Sequence, residues 1–113
     1  RNAKEAYFTT EFILKGKTPN KKEKKWLDAI CQLGCIVCRN EGQLGTPAEP
    51  HHIIDGMGSK KNHMRTIPLC PKHHRTGEHN FLWVSRHPFK KAFEERYGSE
   101  EKLLKQTEGM VDA

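Results

Sequence analysis

The sequence predicts a small α+β domain held together by metal more than by its apolar core. Three observations carry that expectation. The chain has 113 residues, enough for one domain, and only 35% of them are hydrophobic. Cys35-Ile-Val-Cys38 and Cys70-Pro-Lys-His73 are two half-sites of the spacing that grips a tetrahedral zinc, separated by 31 residues. Between and after them the punctuation reads strand, turn, strand, short helix.

The elements follow in order. Residues 1–17 show no sustained period and are expected to form a basic N-terminal arm, leaving 18–113 as a zinc-knuckle domain. Thr18 and Pro19 have the chemistry of a helix start, Thr as N-cap and Pro in the first turn. Trp26, Leu27, Ile30 and Leu33 recur at helical spacing, and Gly34 ends the run. Lys21, Lys22, Lys24 and Lys25 fall on its polar side, as a solvated face or one that touches phosphates. Cys31 shares the apolar side with Leu27 and reads as core. The Cys35–Cys38 segment is too short for a helix and fits a knuckle turn.

A Gly- and Pro-rich loop follows, over residues 42–50. Residues 51–54 (His-His-Ile-Ile) read as a strand, 56–62 as a turn and 64–69 as the second strand. Asp55 reads as a turn residue. Pro71 opens a short helix carrying His73 and His74, which Gly77 ends. Pro88 starts another, with Phe89, Ala92, Phe93 and Tyr97 on one face and Gly98 as terminator. Ser99 caps a last helix, whose first-turn Glu100 and Glu101 suit its dipole.

Composition narrows the function. Net charge is +6, which implies a polyanionic partner such as nucleic acid. No apolar run approaches a membrane span and no signal-peptide pattern opens the chain, so a cytoplasmic protein of the host cell is expected. Four cysteines in that setting point to zinc ligation by Cys35, Cys38, Cys70 and His73 more than to disulfides.

Seven histidines exceed what a knuckle needs. In a strand His51 and His52 point to opposite sides, so one can ligate a cation while the other handles a water. His74, one residue past a zinc ligand on a helix, turns towards the hairpin. A metal held between hairpin and helix keeps open positions, as a phosphodiester substrate requires. The plainer alternative is that His51, His52 and His74 only pack around the knuckle.

The string Ile67-Pro68-Leu69-Cys70-Pro71-Lys72-His73-His74-Arg75-Thr76-Gly77, with His51-His52-Ile53 before it, resembles the phage recombination-enhancement nucleases of the Ref type. These are RecA-dependent endonucleases of the HNH, or ββα-metal, superfamily. The tail from Phe89 to Gly98 and the Glu101-Lys102-Leu103-Leu104 run are similar to the same group, and the resemblance spans roughly residues 18–107.

It implies a ββα-metal core with flanking helices. It implies structural zinc on Cys35, Cys38, Cys70 and His73, and an active-site divalent cation (magnesium or manganese, with zinc able to replace them in a crystal) on His51 and His74. His52 would be the general base. For the third active-site ligand His79 and His87 are both candidates and His87 is favoured; Glu78 stands where a plain HNH helix often supplies a histidine. The middle Asn of the HNH name falls to Asn62 or His63. The implied partners are DNA and a RecA filament, with no membrane, and a monomer is expected. Two other functions compete: a non-catalytic, zinc-stabilised nucleic-acid-binding module, and an HNH enzyme of packaging or homing.

Overall fold

The computed structural model describes residues 18–54 and 62–112, and its first regular element is capped by Asn20. Helix α1 spans Lys21–Leu33. Asn20 Oδ1 accepts the Glu23 N–H at 2.8 Å, and Glu23 Oε1 accepts the Asn20 N–H at 2.9 Å. This reciprocal box moves the start two residues beyond the expected Thr18 cap, because three residues after Thr18 stands Lys21, which has no oxygen to return the bond. Trp26, Leu27 and Ile30 are buried and Leu33 is half-buried, while the four lysines are exposed. Cys31 is also half-buried, one position round the helix from Ile30, and does not join the core.

Gly34 ends α1 with φ +86°, and the chain passes so close to the next loop that a Cβ there would meet Gly45 Cα and Thr46 O at 3.1 Å. Glycine is therefore required on both counts. The expected knuckle turn runs on into a one-turn helix, α2 (Ile36–Asn40), because the Cys35 Sγ accepts the Cys38 N–H and caps it.

Strands β1 (Glu49–His52) and β2 (Thr66–Leu69) pair antiparallel, with His51 opposite Ile67 and His52 opposite Thr66. The first begins two residues earlier than the sequence indicates. The second begins two residues later, because Asn62 Oδ1 accepts the Met64 N–H and Asn62 O accepts the Arg65 N–H, turning that stretch. Helix α3 (Pro71–His74) follows at once.

Helix α4 spans Lys90–Tyr97, not from Pro88 as expected. The His87 carbonyl, which would have accepted a first-turn bond, accepts the Ser85 hydroxyl instead. Helix α5 spans Glu100–Asp112, and Ser99 caps it as expected, its Oγ accepting the Lys102 N–H at 3.1 Å. The expected 1–17 arm, Asp55 and most of the expected 56–62 turn lie outside the described residues.

The result is an α+β fold: a two-stranded sheet wrapped by helices. The core takes Leu27 and Ile30 from α1, Ile36 and Val37 from α2, Ile67 and Leu69 from β2, Phe93 from α4, and Leu103 and Leu104 from α5. Every residue of β2 is buried. Trp26 reaches across from α1 to donate its indole N–H to Thr66 Oγ1 at 2.8 Å, and Thr66 Oγ1 donates in turn to His63 O at 3.0 Å. Among the described residues, no helix is long and apolar enough to cross a membrane.

Leu27 has no exposed surface. Leu27→Ala is expected to destabilise the domain by about 2–5 kcal/mol, the cost of lost transfer plus a cavity. Urea unfolding monitored by Trp fluorescence measures it; a loss under 1 kcal/mol would remove Leu27 from the core.

Candidate functional site

The turn after α1 and the β2–α3 junction bring Cys35, Cys38, Cys70 and His73 to one point, all buried. A tetrahedral zinc with ordinary bond lengths has S–S edges of about 3.8 Å and S–N edges of about 3.5 Å. Here Cys38 Sγ and Cys70 Sγ lie 3.7 Å apart. His73 Nδ1 stands 3.7 Å from Cys35 Sγ, 3.6 Å from Cys38 Sγ and 3.2 Å from Cys70 Sγ.

The donor set and its spacing fit zinc. Electrostatics agree. A hydrogen bond from the Cys35 thiol, then His73, holds the Cys70 thiol down at about 3, whereas Cys35, bonded to that sulfur and buried, and Cys38, desolvated, are pushed up. Three thiolates can share this pocket only with a cation among them.

One residue further along, His74 turns out of this cluster into a second. His51 from β1, His74 from α3 and His87 offer ligand atoms that all lie within 4.8 Å of one another. Ring centroids are 5.1 Å apart for His51 and His74, and 5.2 Å for His87 with each of them.

The backbone puts His87 there. The Arg86 and His87 N–H groups donate to His73 O and His74 O at 2.8 and 2.9 Å, so the incoming segment closes the end of α3. Burial grades outward, from buried His51 through half-buried His74 to exposed His87. The cluster therefore opens to solvent on the His87 side.

Two carboxylates stand behind these histidines. His51 donates from Nε2 to Glu100 Oε2 at 2.5 Å, and Arg86 donates to the same oxygen. His74 donates from Nδ1 to Glu49 Oε1 at 2.6 Å, which also takes the Arg75 guanidinium. These bonds fix each tautomer and leave Nδ1 of His51 and Nε2 of His74 as the lone-pair nitrogens.

Burial would raise both carboxyls, but their cationic and imidazole partners win. Glu100 falls to about 2, and Glu49 also lies below its ordinary value. Burial lowers His51, and with help from neighbouring His51 and Arg86 it lowers His87 to about 4. Both imidazoles are thus neutral at pH 7, the form that binds a cation.

His52 faces the other way. Its Nε2 shares a hydrogen bond of 2.9 Å with Nδ1 of His63, whose side chain is buried. Of the two residues considered for the middle position, His63 touches His52, while Asn62 is spent on its own turn. His79 stays away from the cluster, exposed and packed on Phe89, and Glu78 is exposed as well.

Glu100, Glu49 and Arg86 went unread in the sequence as parts of this site. Glu100 looked like one of two dipole-friendly acids. The one available signal for Glu49 was an acid immediately before a buried proline and the histidine pair.

The family model described as "Recombination enhancement, RecA-dependent nuclease" matches residues 19–112. A curated relative, the uncharacterized protein YdfU of Escherichia coli (strain K12), is 38% identical over 65 residues. That match takes in 53% of this chain and 16% of the relative's length.

Adjacent histidines should separate the two clusters. His73→Ala and Cys70→Ser are expected to lose tightly bound zinc and to lower the melting temperature by well over 10 °C. His74→Ala should keep its zinc at the cysteine cluster and melt within a few degrees of the parent. Elemental analysis with thermal unfolding checks this; equal zinc loss and equal melting shifts would overturn the partition.

Proposed function

The chain belongs to the recombination-enhancement, RecA-dependent nuclease family, and from that premise we propose that it is a metal-dependent DNA endonuclease of the HNH, or ββα-metal, type, acting with RecA filaments. One observation supports this reading above the others. Consecutive residues of β1 face different partners: His51 joins a three-histidine cluster, and His52 joins His63 on the other side. A purely structural knuckle has no use for that division.

His51, His74 and His87 would hold the active-site cation. Three imidazole ligands suit a transition ion, so of the two expected cations manganese fits better than magnesium, which prefers oxygen. Bound there, the cation supplies Lewis acidity to a phosphodiester and stabilises the leaving oxygen. Glu49 and Glu100 hold His74 and His51 in position and add negative charge behind them.

His52 is the general base. Its Nε2 pairs with Nδ1 of His63, which holds the ring in place while the imidazole takes the proton of the attacking water. The bond persists when His52 becomes charged, so the ring does not swing as the proton arrives. His63 is itself anchored from the core, through the Thr66 hydroxyl on its carbonyl and Trp26 behind that.

The test is nicking of supercoiled and single-stranded DNA with manganese or magnesium, with and without RecA filament. His52→Ala is expected to slow cleavage about 10²- to 10⁴-fold with zinc content and DNA affinity unchanged. Cleavage at the parental rate by that variant would sink the mechanism.

His63→Ala should lower kcat by about 10-fold or more with little change in KM, and His63→Asn should recover part of the loss by offering an acceptor oxygen. A KM effect alone would deny His63 its role.

A further inference from the structure

The segment between α3 and α4 does more than deliver His87. Residues 78–85 double back on themselves, with a bridge between His79 and Val84 and the Ser85 N–H donating to Glu78 O at 2.7 Å. At the tip Phe81 is 91% exposed and its neighbour Leu82 69%.

Exposed apolar residues on a loose loop can fold down onto the surface. This tip cannot. Asn80 Oδ1 accepts the N–H groups of Leu82 and Trp83, at 2.8 and 3.0 Å. Arg96 of α4 donates to Asn80 O and Phe81 O. The Tyr97 hydroxyl accepts the Val84 N–H at 3.0 Å. The main chain is pinned from two sides while two apolar side chains project into water.

We infer that Phe81 and Leu82 form a wedge that enters the base stack of the DNA held at the histidine cluster, so that DNA with unpaired bases beside the cut site is the preferred substrate. This inference rests on the nuclease reading.

Three observations carry it. Leu82 and His87 are five positions apart on one segment, so the tip stands within about 18 Å of the cluster, a reach of a few nucleotides. The flanks carry exposed Lys72, Lys90, Lys91 and Arg96, besides Arg75 and Arg86, which Glu49 and Glu100 hold. The shape is convex and two side chains wide, far less area than a stable protein interface buries, but the size of inserted side chains that unstack a base step. Insertion into intact duplex must first break stacking, whereas an unpaired base offers its face at no such cost.

The experiment uses the full chain, with Phe81→Ala/Leu82→Ala compared against Phe81→Trp and the parent. Binding is measured by anisotropy on intact duplex, on the same duplex with a short unpaired bubble, and on single strands. A 2-aminopurine in the bubble reports stacking. Cleavage of the same DNAs, with and without RecA filament, is followed in parallel.

The double variant should melt like the parent, bind bubble DNA roughly 5- to 100-fold more weakly, and lack the rise in 2-aminopurine fluorescence that unstacking by the parent produces. Intact-duplex affinity should change little, and Phe81→Trp should retain the parental preference. Equal bubble affinity for parent and double variant would overturn the wedge while leaving the nuclease standing, provided the parent cuts. A parent that neither binds nor cuts any of these DNAs would instead remove the nuclease reading. Loss confined to RecA-stimulated cleavage, with unchanged DNA affinity, would make the loop a protein-docking surface and overturn the assignment to DNA.

Discussion

Cys35, Cys38, Cys70 and His73 meet at one buried point, and the position of every other reactive group follows from that meeting. The cluster ties the end of α1 and its following turn to the β2–α3 junction. It thereby fixes the direction of a helix only four residues long. So short a helix has almost no stability of its own, yet it carries His74 and offers the two carbonyls that dock Arg86 and His87. A metal held there would give a domain so poor in hydrophobic residues both its rigidity and its histidine geometry.

The histidine cluster shows how two of its imidazoles, His51 and His87, are kept neutral within a basic protein. Burial and neighbouring cations push protons off His51 and His87. The charge that would otherwise be missing sits one bond further out, on Glu49 and Glu100, each held ionised by an arginine as well as a histidine. The carboxylates orient the rings, and the arginines keep the carboxylates from taking up the protons. Lewis base and counter-charge are thereby divided between separate residues.

Much of this was legible in the chain, and the boundary of legibility is physical. The two Cys/His half-sites declare themselves because a tetrahedral metal would demand two ligands a fixed few residues apart. The hairpin and helix order followed from turn residues, and the apolar stripe of α1 from its period. What stayed hidden depends on pairing over long separations. His51 and Glu100 are 49 positions apart, and His74 and Glu49 are 25 apart. No local period links such residues, and an acid in the first turn of a helix looks the same whether it serves the dipole or a buried imidazole. The helix starts at Asn20 and Lys90 were missed for a related reason: each depends on which oxygen returns or withholds one hydrogen bond. Between His79 and His87 the resemblance favoured the second, and main-chain pairing of Arg86 and His87 with His73 and His74 is what sets its ring beside His51 and His74.

That main-chain pairing separates two kinds of change in the segment from Thr76 to His87. Its ends are held by peptide groups, which every residue but proline supplies. His87 therefore keeps its place whatever side chains stand between, whereas Asn80, Phe81 and Leu82 are held to the tip by its shape and not by the position of His87. An added or lost residue in the last stretch, Val84 to His87, is a different matter. It slides the ladder by one step, sends the imidazole to the wrong side, and presents its neighbour to the cluster. Lineages of this domain should thus conserve the loop's metre even where its wording away from the tip changes.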